Sequence, residues 1–454
     1  MDVIIIGAGE VGFHIASILS REAHNVTIVD VAQSKIERVG ETLDISAICG
    51  HGATPNTLVA AGVERADLVL AVTDNDEVNL ISTFTAKALG AKRVVARLSS
   101  RHYLEASQLL YRDHIGIDLI INPAMLTAYE IAKFVENPDA LAIESYARGR
   151  TEMRQVRVQP DSPLASKPLK DIPLEEGVLI ASILRKDTLI IPHGTSVIQP
   201  GDVVTVIGQR GRMDRMQKLL TGPETRLRNV MIYGGGHIGL LLAQLLENLR
   251  CSVRLLEEDR ERCTELAEEL KKTRVVHGNG ADLSLLKRER VGAVDAFIAV
   301  TDDDERNIMA VLLAKQQGAS MGVVLIHRPD FASLLEKVGI DHAASPRLIT
   351  AKKILALVRR GELRTTTEIV EGKAEAIELQ VGQGSKAADR ALKDIRFPRN
   401  TLIAALIRDD QAIVPRGNDA LKAGDTVIAF AEPDGIGALL KLFRSTERSS
   451  ETRP

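Results

Sequence analysis

Tryptophan is absent, and five Tyr and eight Phe are the only aromatic residues among 454. So few rings cannot supply the stacking platforms of a single-strand nucleic-acid binder, and they are unusual for a sugar-binding groove. Excess positive charge is missing too. With 58 Lys and Arg against 61 Asp and Glu, the formal charge is -3, which excludes the electrostatic footprint of a general nucleic-acid binder. No apolar run approaches the roughly 20 residues that cross a bilayer. The opening Met1-Asp2-Val3-Ile4-Ile5-Ile6-Gly7 has neither a basic n-region nor a long apolar core, so secretion and membrane insertion are not expected. No lipidation signal is present, and acidic and basic residues interleave, as in Lys287-Arg288-Glu289-Arg290. Direct lipid binding is therefore not expected either. Cysteine is scarce: Cys49, Cys251 and Cys263 show neither paired spacing nor a CxxC, which fits a reducing cytoplasm and packing roles for all three.

What the chain has is a second copy of itself. At roughly 150 residues per domain its length suggests about three domains, but internal repetition overrides that estimate. Val3-Ile-Ile-Ile-Gly-Ala-Gly-Glu-Val-Gly12 returns as Val230-Met-Ile-Tyr-Gly-Gly-Gly-His-Ile-Gly239, and Ala66-Asp-Leu-Val-Leu-Ala-Val-Thr-Asp-Asn-Asp-Glu77 as Val294-Asp-Ala-Phe-Ile-Ala-Val-Thr-Asp-Asp-Asp-Glu305. A third block, Leu169-Lys-Asp-Ile172 to Gly201-Asp202, recurs as Leu392-Lys-Asp-Ile395 to Gly424-Asp425. The repeat unit is a large module followed by a small one.

In the large module a β-branched run, Val3 to Ile6, gives way at glycines to apolar residues at helical spacing: Val11, Ile15, Ile18 and Leu19. Further strands are expected at 25–30, 67–72 and 93–98, with copies at 252–257, 295–300 and 321–326. Strands alternating with helical stretches predict βαβ units, and so an α/β fold with a doubly wound parallel sheet of Rossmann type in each copy. The small module has short apolar runs at 178–184, 189–191 and 203–207, separated by Lys186-Asp187, His193-Gly194 and Pro200-Gly201-Asp202. It reads as a hairpin-rich α+β domain of about 80 residues. The expected limits are 1–135, 142–222, 229–361 and 366–444, with linkers at 221–225 and near 361–367 and a polar, disordered tail from 445 to 454.

Gly7-x-Gly9-x-x-Gly12 lies between a strand and a helix, and Asp30 follows its last glycine by 18 residues at the end of the second strand. Here the glycines allow a tight turn and close approach to a pyrophosphate, while the helix start offers free N–H groups. Asp30 can accept ribose hydroxyls, and with Val31 and Ala32 after it there is no Arg to welcome a 2′-phosphate, so adenosine or NAD is favoured over NADP. The candidate binding residues are Gly7, Ala8, Gly9, Glu10, Val11, Gly12 and Asp30 in the first copy. In the second they are Gly234, Gly235, Gly236, His237, Ile238, Gly239 and Glu257. Thr73-Asp74 and Thr301-Asp302 follow the strands at 67–72 and 295–300 and read two ways, as ribose or phosphate contacts or as openings of the next helix. His51 and Asn279, each between two glycines, point toward adenine or simply turn a loop. Arg97 is placed to neutralise phosphate, whereas its copy is Leu325.

Catalytic signatures are missing. Tyr129-Glu-Ile-Ala-Lys133 has the Tyr-x-x-x-Lys spacing of short-chain dehydrogenases, but Lys352 aligns with Tyr129 in the repeat and the glycine loop is of another type. No HExxH, Walker Gly-Lys-Ser/Thr or Ser/His/Asp set is present. The scattered histidines suggest no metal site, and His14 reads as a half-buried surface residue.

The glycine loops, Asp30, Ala71-Val-Thr-Asp-Asn-Asp-Glu-Val-Asn-Leu80, Ser345-Pro346-Arg347-Leu-Ile-Thr350 and the Gly-Asp pairs together resemble the regulator-of-potassium-conductance (RCK) family, over nearly the whole chain. The resemblance implies two Rossmann-like domains, each followed by a small α+β RCK C-terminal domain, in tandem. It further implies a non-enzymatic cytoplasmic protein that binds NAD(H), with ATP or ADP as further candidates. Such a protein forms a homo-oligomeric ring, a dimer or tetramer, and gates a membrane potassium-translocating subunit of the Trk type, through which it sits on the cytoplasmic face of the inner membrane. Leu325 and the Gly-Gly-Gly-His loop leave the second site's ligand open.

Overall fold

The computed structural model describes residues 1–444 except 23, 101–102, 104–114, 147–148, 150, 173, 176, 187, 223–226, 250, 329–331, 360–364, 370–373, 400 and 409–410. The expected polar tail and most of both linkers lie outside the described residues.

The first large module runs β1 (Asp2–Ile6), α1 (Glu10–Arg21), β2 (Asn25–Asp30), α2 (Gln33–Thr42), β3 (Ser46–Cys49), α3 (Pro55–Ala60), β4 (Leu68–Ala71), α4 (Asp76–Ala88), β5 (Val94–Arg97), β6 (Leu119–Ile121) and α5 (Pro123–Glu136). Its six strands are all parallel, in the order β3-β2-β1-β4-β5-β6. Strand order reverses beside β1, which opens a crevice at the carboxyl ends of β1 and β4. The central strands are buried on both faces, with β4 wholly buried as Leu-Val-Leu-Ala, as a parallel sheet covered by helices requires.

A small module follows: β7 (Ala140–Tyr146), β8 (Thr151–Arg157), β9 (Val178–Arg185), β10 (Thr188–Ile190), β11 (Val203–Gln209) and α6 (Arg210–Thr221). The strands form one antiparallel sheet, β10-β9-β11-β8-β7. Lys186, in the turn between β9 and β10, takes a positive φ of 53°. Arg185 and Asp202 close the sheet end through a two-pronged ion pair at 2.8 and 3.0 Å.

The second large module repeats the first as β12 (Asn229–Tyr233), α7 (His237–Asn248), β13 (Ser252–Glu257), α8 (Arg260–Glu269), β14 (Arg274–His277), α9 (Leu283–Arg288), β15 (Ala296–Ala299), α10 (Asp304–Gln316), β16 (Met321–Leu325), α11 (Ala332–Lys337), β17 (His342–Ala344) and α12 (Pro346–Arg359). Its parallel order is again the Rossmann one, β14-β13-β12-β15-β16-β17. The last small module comprises β18 (Thr365–Ile369), β19 (Ala374–Gln380), β20 (Arg390–Ala391), β21 (Thr401–Arg408), β22 (Gln411–Ile413), β23 (Ala420–Leu421), β24 (Thr426–Ala431) and α13 (Pro433–Phe443). Its main sheet, β18-β19-β24-β21-β22, has the strand order of the first small module. The fold is therefore α/β, with two doubly wound parallel-sheet domains each followed by a small α+β domain.

The compact units are not the sequence halves. One unit contains both large modules, Met1–Glu136 with Leu227–Leu355, and the other contains both small modules. In the first unit, α5 carries Ala128, Ile131, Ala132 and Val135 into one core with Leu242, Ala243 and Leu246 of α7, and Phe134 stacks on His342 with ring centroids 4.8 Å apart. In the second unit, Tyr146, Met153, Ala181 and Ile207 of one small module share a core with Ala376, Ala404, Ile428 and Phe430 of the other.

One sequence expectation needs correction. Cys49 is exposed, because β3 is an edge strand, whereas Cys251 and Cys263 are half-buried, and burial pushes both of those thiols upward. His14 sits at the surface of α1, where partial burial, then Arg21, pushes its imidazole downward.

Candidate functional site

The first glycine loop is shaped by backbone needs. Gly7 takes a φ of +107°, and a Cβ at Gly12 would stand 1.9 Å from the Gly7 carbonyl oxygen, so neither position admits a side chain. Gly9 differs: it caps α1 with φ -69° and no side-chain hydrogen bond, and a Cβ there would meet nothing within 4 Å. The space above Gly9 is open, and the first N–H groups of α1 face it without a side-chain cap.

Asp30, at the end of β2, is only 8% exposed. One carboxylate oxygen accepts the Ala8 N–H at 2.7 Å and the other the Ala32 N–H at 2.8 Å. The acid thus ties the glycine loop to the β2 end, with Lys35 Nζ at 3.7 Å. A cavity of about 630 Å³ opens over this loop, within the usual range for a small-molecule site. Gly7, Ala8, Gly9, Glu10, Val11 and Asp30 line it together with Thr73, Asp74 and Arg97. Its opposite wall comes from the second large module, through Gly236, His237, Ile238, Asp302 and the start of α12.

Thr73 serves both of its possible roles at once. It lines the cavity, while its N–H and hydroxyl both donate to Asn79 Oδ1, at 2.9 and 2.7 Å. Asn75 is the cap of α4, accepting the Val78 N–H at 2.7 Å. Asp74 stands almost free in solvent and holds Arg97 at 2.9 Å. Sequence reasoning missed Asn79, which is fully buried and also donates to the Thr73 and Arg97 carbonyls at 3.0 and 2.9 Å. The recurrence of Asn at 79 and 307 in the two copies was the available signal, since Asn307 makes the same four bonds to Thr301 and Leu325.

The second loop keeps the backbone design. Gly234 has a φ of +109°, and a Cβ at Gly239 would stand 1.9 Å from the Gly234 oxygen. Glu257 accepts the Gly235 N–H at 2.6 Å and the Asp259 N–H at 2.8 Å. The surroundings are more occupied, however. Arg262 Nε donates to the Gly235 carbonyl at 2.9 Å. Glu258 accepts a short hydrogen bond from the Tyr233 hydroxyl, and Arg306 reaches both Glu258 oxygens at 3.1 Å. Burial, then the Glu258 carboxylate, pushes the Tyr233 phenol well above its ordinary value. This bridge spans from the end of β13 to α10, where the first copy has Val31 and Val78. Gly234, Gly235, Gly239, Glu257 and Thr301 lie outside the cavity lining.

The structure does not bring His51 or Asn279 to the cavity. His51 accepts the Ala53 N–H at 3.3 Å within its own exposed loop, and Asn279 accepts the Ala281 N–H at 2.7 Å. Both side chains shape turns. Tyr129 and Lys133 project from the exposed face of α5, outside the cavity. No cluster of three or more His, Cys, Asp or Glu suited to a metal exists among the described residues, and none of their helices is long and apolar enough to cross a membrane.

A doubly wound sheet with an open glycine loop, an acid clasped to that loop and a cavity over both defines a dinucleotide-binding type of domain, whose sheet, loop and acid recur in the second copy. The chain matches the TrkA-N domain over residues 3–123 and 230–346 and the TrkA-C domain over residues 153–221 and 376–444; it belongs to the TrkA family. Among its relatives, a Trk system potassium uptake protein TrkA homolog of Archaeoglobus fulgidus is 36% identical over 445 residues, covering 98% of this chain and 100% of that one. The Trk system potassium uptake protein TrkA of Halomonas elongata is 35% identical over 438 residues, 95% of each chain. The RCK domain of GsuK superposes with a TM-score of 0.62 at 16% identity, over 97% of this chain and 94% of that one. The GsuK channel bound to NAD gives 0.63 at 16% identity, over 97% and 78%. These structural likenesses establish the shared fold.

Proposed function

We propose that this chain is the nucleotide-binding regulatory subunit of a Trk-type potassium-uptake system. The observation that carries the reading is Asp30 clasped to an uncapped, open Gly7–Gly12 loop beneath a cavity of nucleotide size. Family membership supplies the physiological setting, since the relatives are named for potassium uptake, and a channel of the same fold is described with NAD bound. In this reading Gly7 to Gly12 receive the phosphates of NAD(H), ATP or ADP, Asp30 holds the ribose and Arg97 adds positive charge. Thr73 and Asp74 border the site. The Gly234 to Gly239 loop with Glu257, and Thr301 with Asp302, form a second and more crowded site.

The protein acts without chemistry of its own. It assembles as a homo-oligomeric ring and meets the cytoplasmic face of the membrane through a potassium-translocating partner. A nucleotide shifts that partner's gate only as far as it binds one arrangement of the subunits more tightly than another. Calorimetry with NAD, NADH, ATP and ADP tests the reading. Asp30→Ala is expected to weaken binding by about 1.5 to 3 kcal/mol, and Glu257→Ala reports separately on the second site. Unchanged affinity in Asp30→Ala would overturn the assignment of the first site, and enzyme-dependent oxidation of NADH by small 2-oxo acids or aldehydes would overturn the regulatory reading.

A further inference from the structure

The two glycine loops share a backbone but differ in what stands beside them. In each copy the acid at the end of the second strand is tied to the loop. A ribose held by that acid, with its phosphates at the loop, directs its base past the residue that follows the acid. In the first copy that residue is Val31, 63% exposed, and α4 carries the half-buried Val78 where the second copy has Arg306. Neither valine side chain has a polar atom, so no polar bridge can form between these positions, and an apolar surface suits the face of a purine.

In the second copy the same positions are joined. The hydroxyl of Tyr233, which replaces Ile6, donates a short hydrogen bond to Glu258 Oε1, and Arg306 Nη1 donates to both Glu258 oxygens at 3.1 Å. The Glu258 backbone is fixed as well, since its carbonyl accepts a hydrogen bond from His277 Nε2 at 2.9 Å. These three side chains run from the end of β12, through the residue after Glu257, to the first turn of α10. They cross the side on which the base would lie. Arg306 also has a second carboxylate at hand, with Asp303 Oδ2 3.8 Å from its Nε. The Arg306–Glu258 pair is half-exposed, and such pairs add little stability in water. Arg306 can therefore exchange Glu258 for Asp303 at small cost.

We propose that Tyr233, Glu258 and Arg306 form a latch across the base side of the second glycine loop, and that this latch decides when the loop accepts an adenine nucleotide. The inference rests on the nucleotide reading of the two glycine loops. With the latch closed, the base meets a charged bridge in place of two valines. With Arg306 turned to Asp303, the base side opens while Glu257 stays in place for the ribose. The apparent affinity of the second loop is its intrinsic affinity reduced by the fraction of chains whose latch is open. The chain accordingly holds one nucleotide tightly at the first loop and another only weakly at the second.

The test is calorimetry on the full chain with ADP and NADH, using Gly9→Val as background so that the heat reports on the second loop. Glu258→Val combined with Arg306→Val removes the latch by installing the residues of the first copy, and Glu258→Gln loosens it while keeping an acceptor for Tyr233. The double change should tighten ADP and NADH at the second loop about tenfold, as a latch closed in about nine chains of ten requires. Glu258→Gln should give part of that gain, and adding Glu257→Ala should abolish it, which assigns the gain to the second loop. Misfolding does not produce a gain in affinity, and unliganded melting temperatures close to that of Gly9→Val alone check each variant. Two outcomes would overturn the latch and leave the nucleotide reading standing: second-loop affinity unmoved by the double change, or a second loop in Gly9→Val as tight as the first loop of the unaltered chain. Failure of the unaltered chain to bind either nucleotide would remove the nucleotide reading and the latch together.

Discussion

Three glycines in one motif carry different burdens. Gly12 is pressed against the Gly7 carbonyl, whereas Gly9 faces open space from a backbone conformation that any residue adopts. Gly12→Ala should therefore lower stability by about 1 to 3 kcal/mol, the usual cost of overpacking, as read by chemical denaturation. Gly9→Val should fold with nearly unchanged stability yet lose nucleotide binding, because its side chain would occupy the cavity. Equal loss of stability in both variants would contradict this division. Asp304 offers a pH test at the same scale. Burial would push its carboxyl up, but N–H donors from His327 and Arg328 outweigh burial and hold it below the ordinary carboxylate value. A carboxylate lowered in the folded state adds stability above its unfolded pKa, near 3.8, and that contribution is lost as pH falls through the folded value. Denaturation midpoints followed below about pH 4.5 should fall less steeply for Asp304→Asn than for the unaltered chain; parallel curves would remove the role given to Asp304.

At the scale of elements, most of what the sequence shows is local. Strands were legible because β-branched runs ended at glycines, and the acid at the β2 end was legible from its distance to Gly12. Both signals depend on neighbouring residues. The destination of α5 was not legible. Its apolar face, Ala128, Ile131, Ala132 and Val135, announces a buried side, but 3.6-residue periodicity says nothing of which module covers it. The structure places that face against α7 of the other copy. The choice between the two readings of His51 and Asn279 stayed open for a related reason: a polar residue between glycines suits a ligand contact and a self-bonded loop equally well. Because α5 is central to the joint core, Ile131→Ala should destabilise by about 2 to 5 kcal/mol and lower the melting temperature of the large modules. A change typical of a surface substitution, within about 0.5 kcal/mol, would show that the α5–α7 contact is dispensable.

For the whole molecule, duplication with exchange changes what a single repeat can do. A chain ending near Gly222 would contain a complete first sheet and a complete small module, but it would leave the inner face of α5 uncovered, along with Tyr146, Met153 and Ile207. These faces are apolar and belong to structures that the repeat makes nearly self-similar, with Leu242 and Leu246 of α7 standing where Ile15 and Leu19 of α1 stand in the first copy. A second copy of the same fragment can therefore offer α1 where the intact chain offers α7, in an isologous pairing. Residues 1–222 expressed alone should accordingly sediment as a dimer at micromolar concentration, and Ile131→Asp in that fragment should shift it toward monomer, because an unpaired carboxylate would have to be buried at the seam. A fragment that stays monomeric, folded and free of dye-binding apolar surface would show that the large module closes its own core, and the joint core of α5 and α7 would then not be what holds the two copies together.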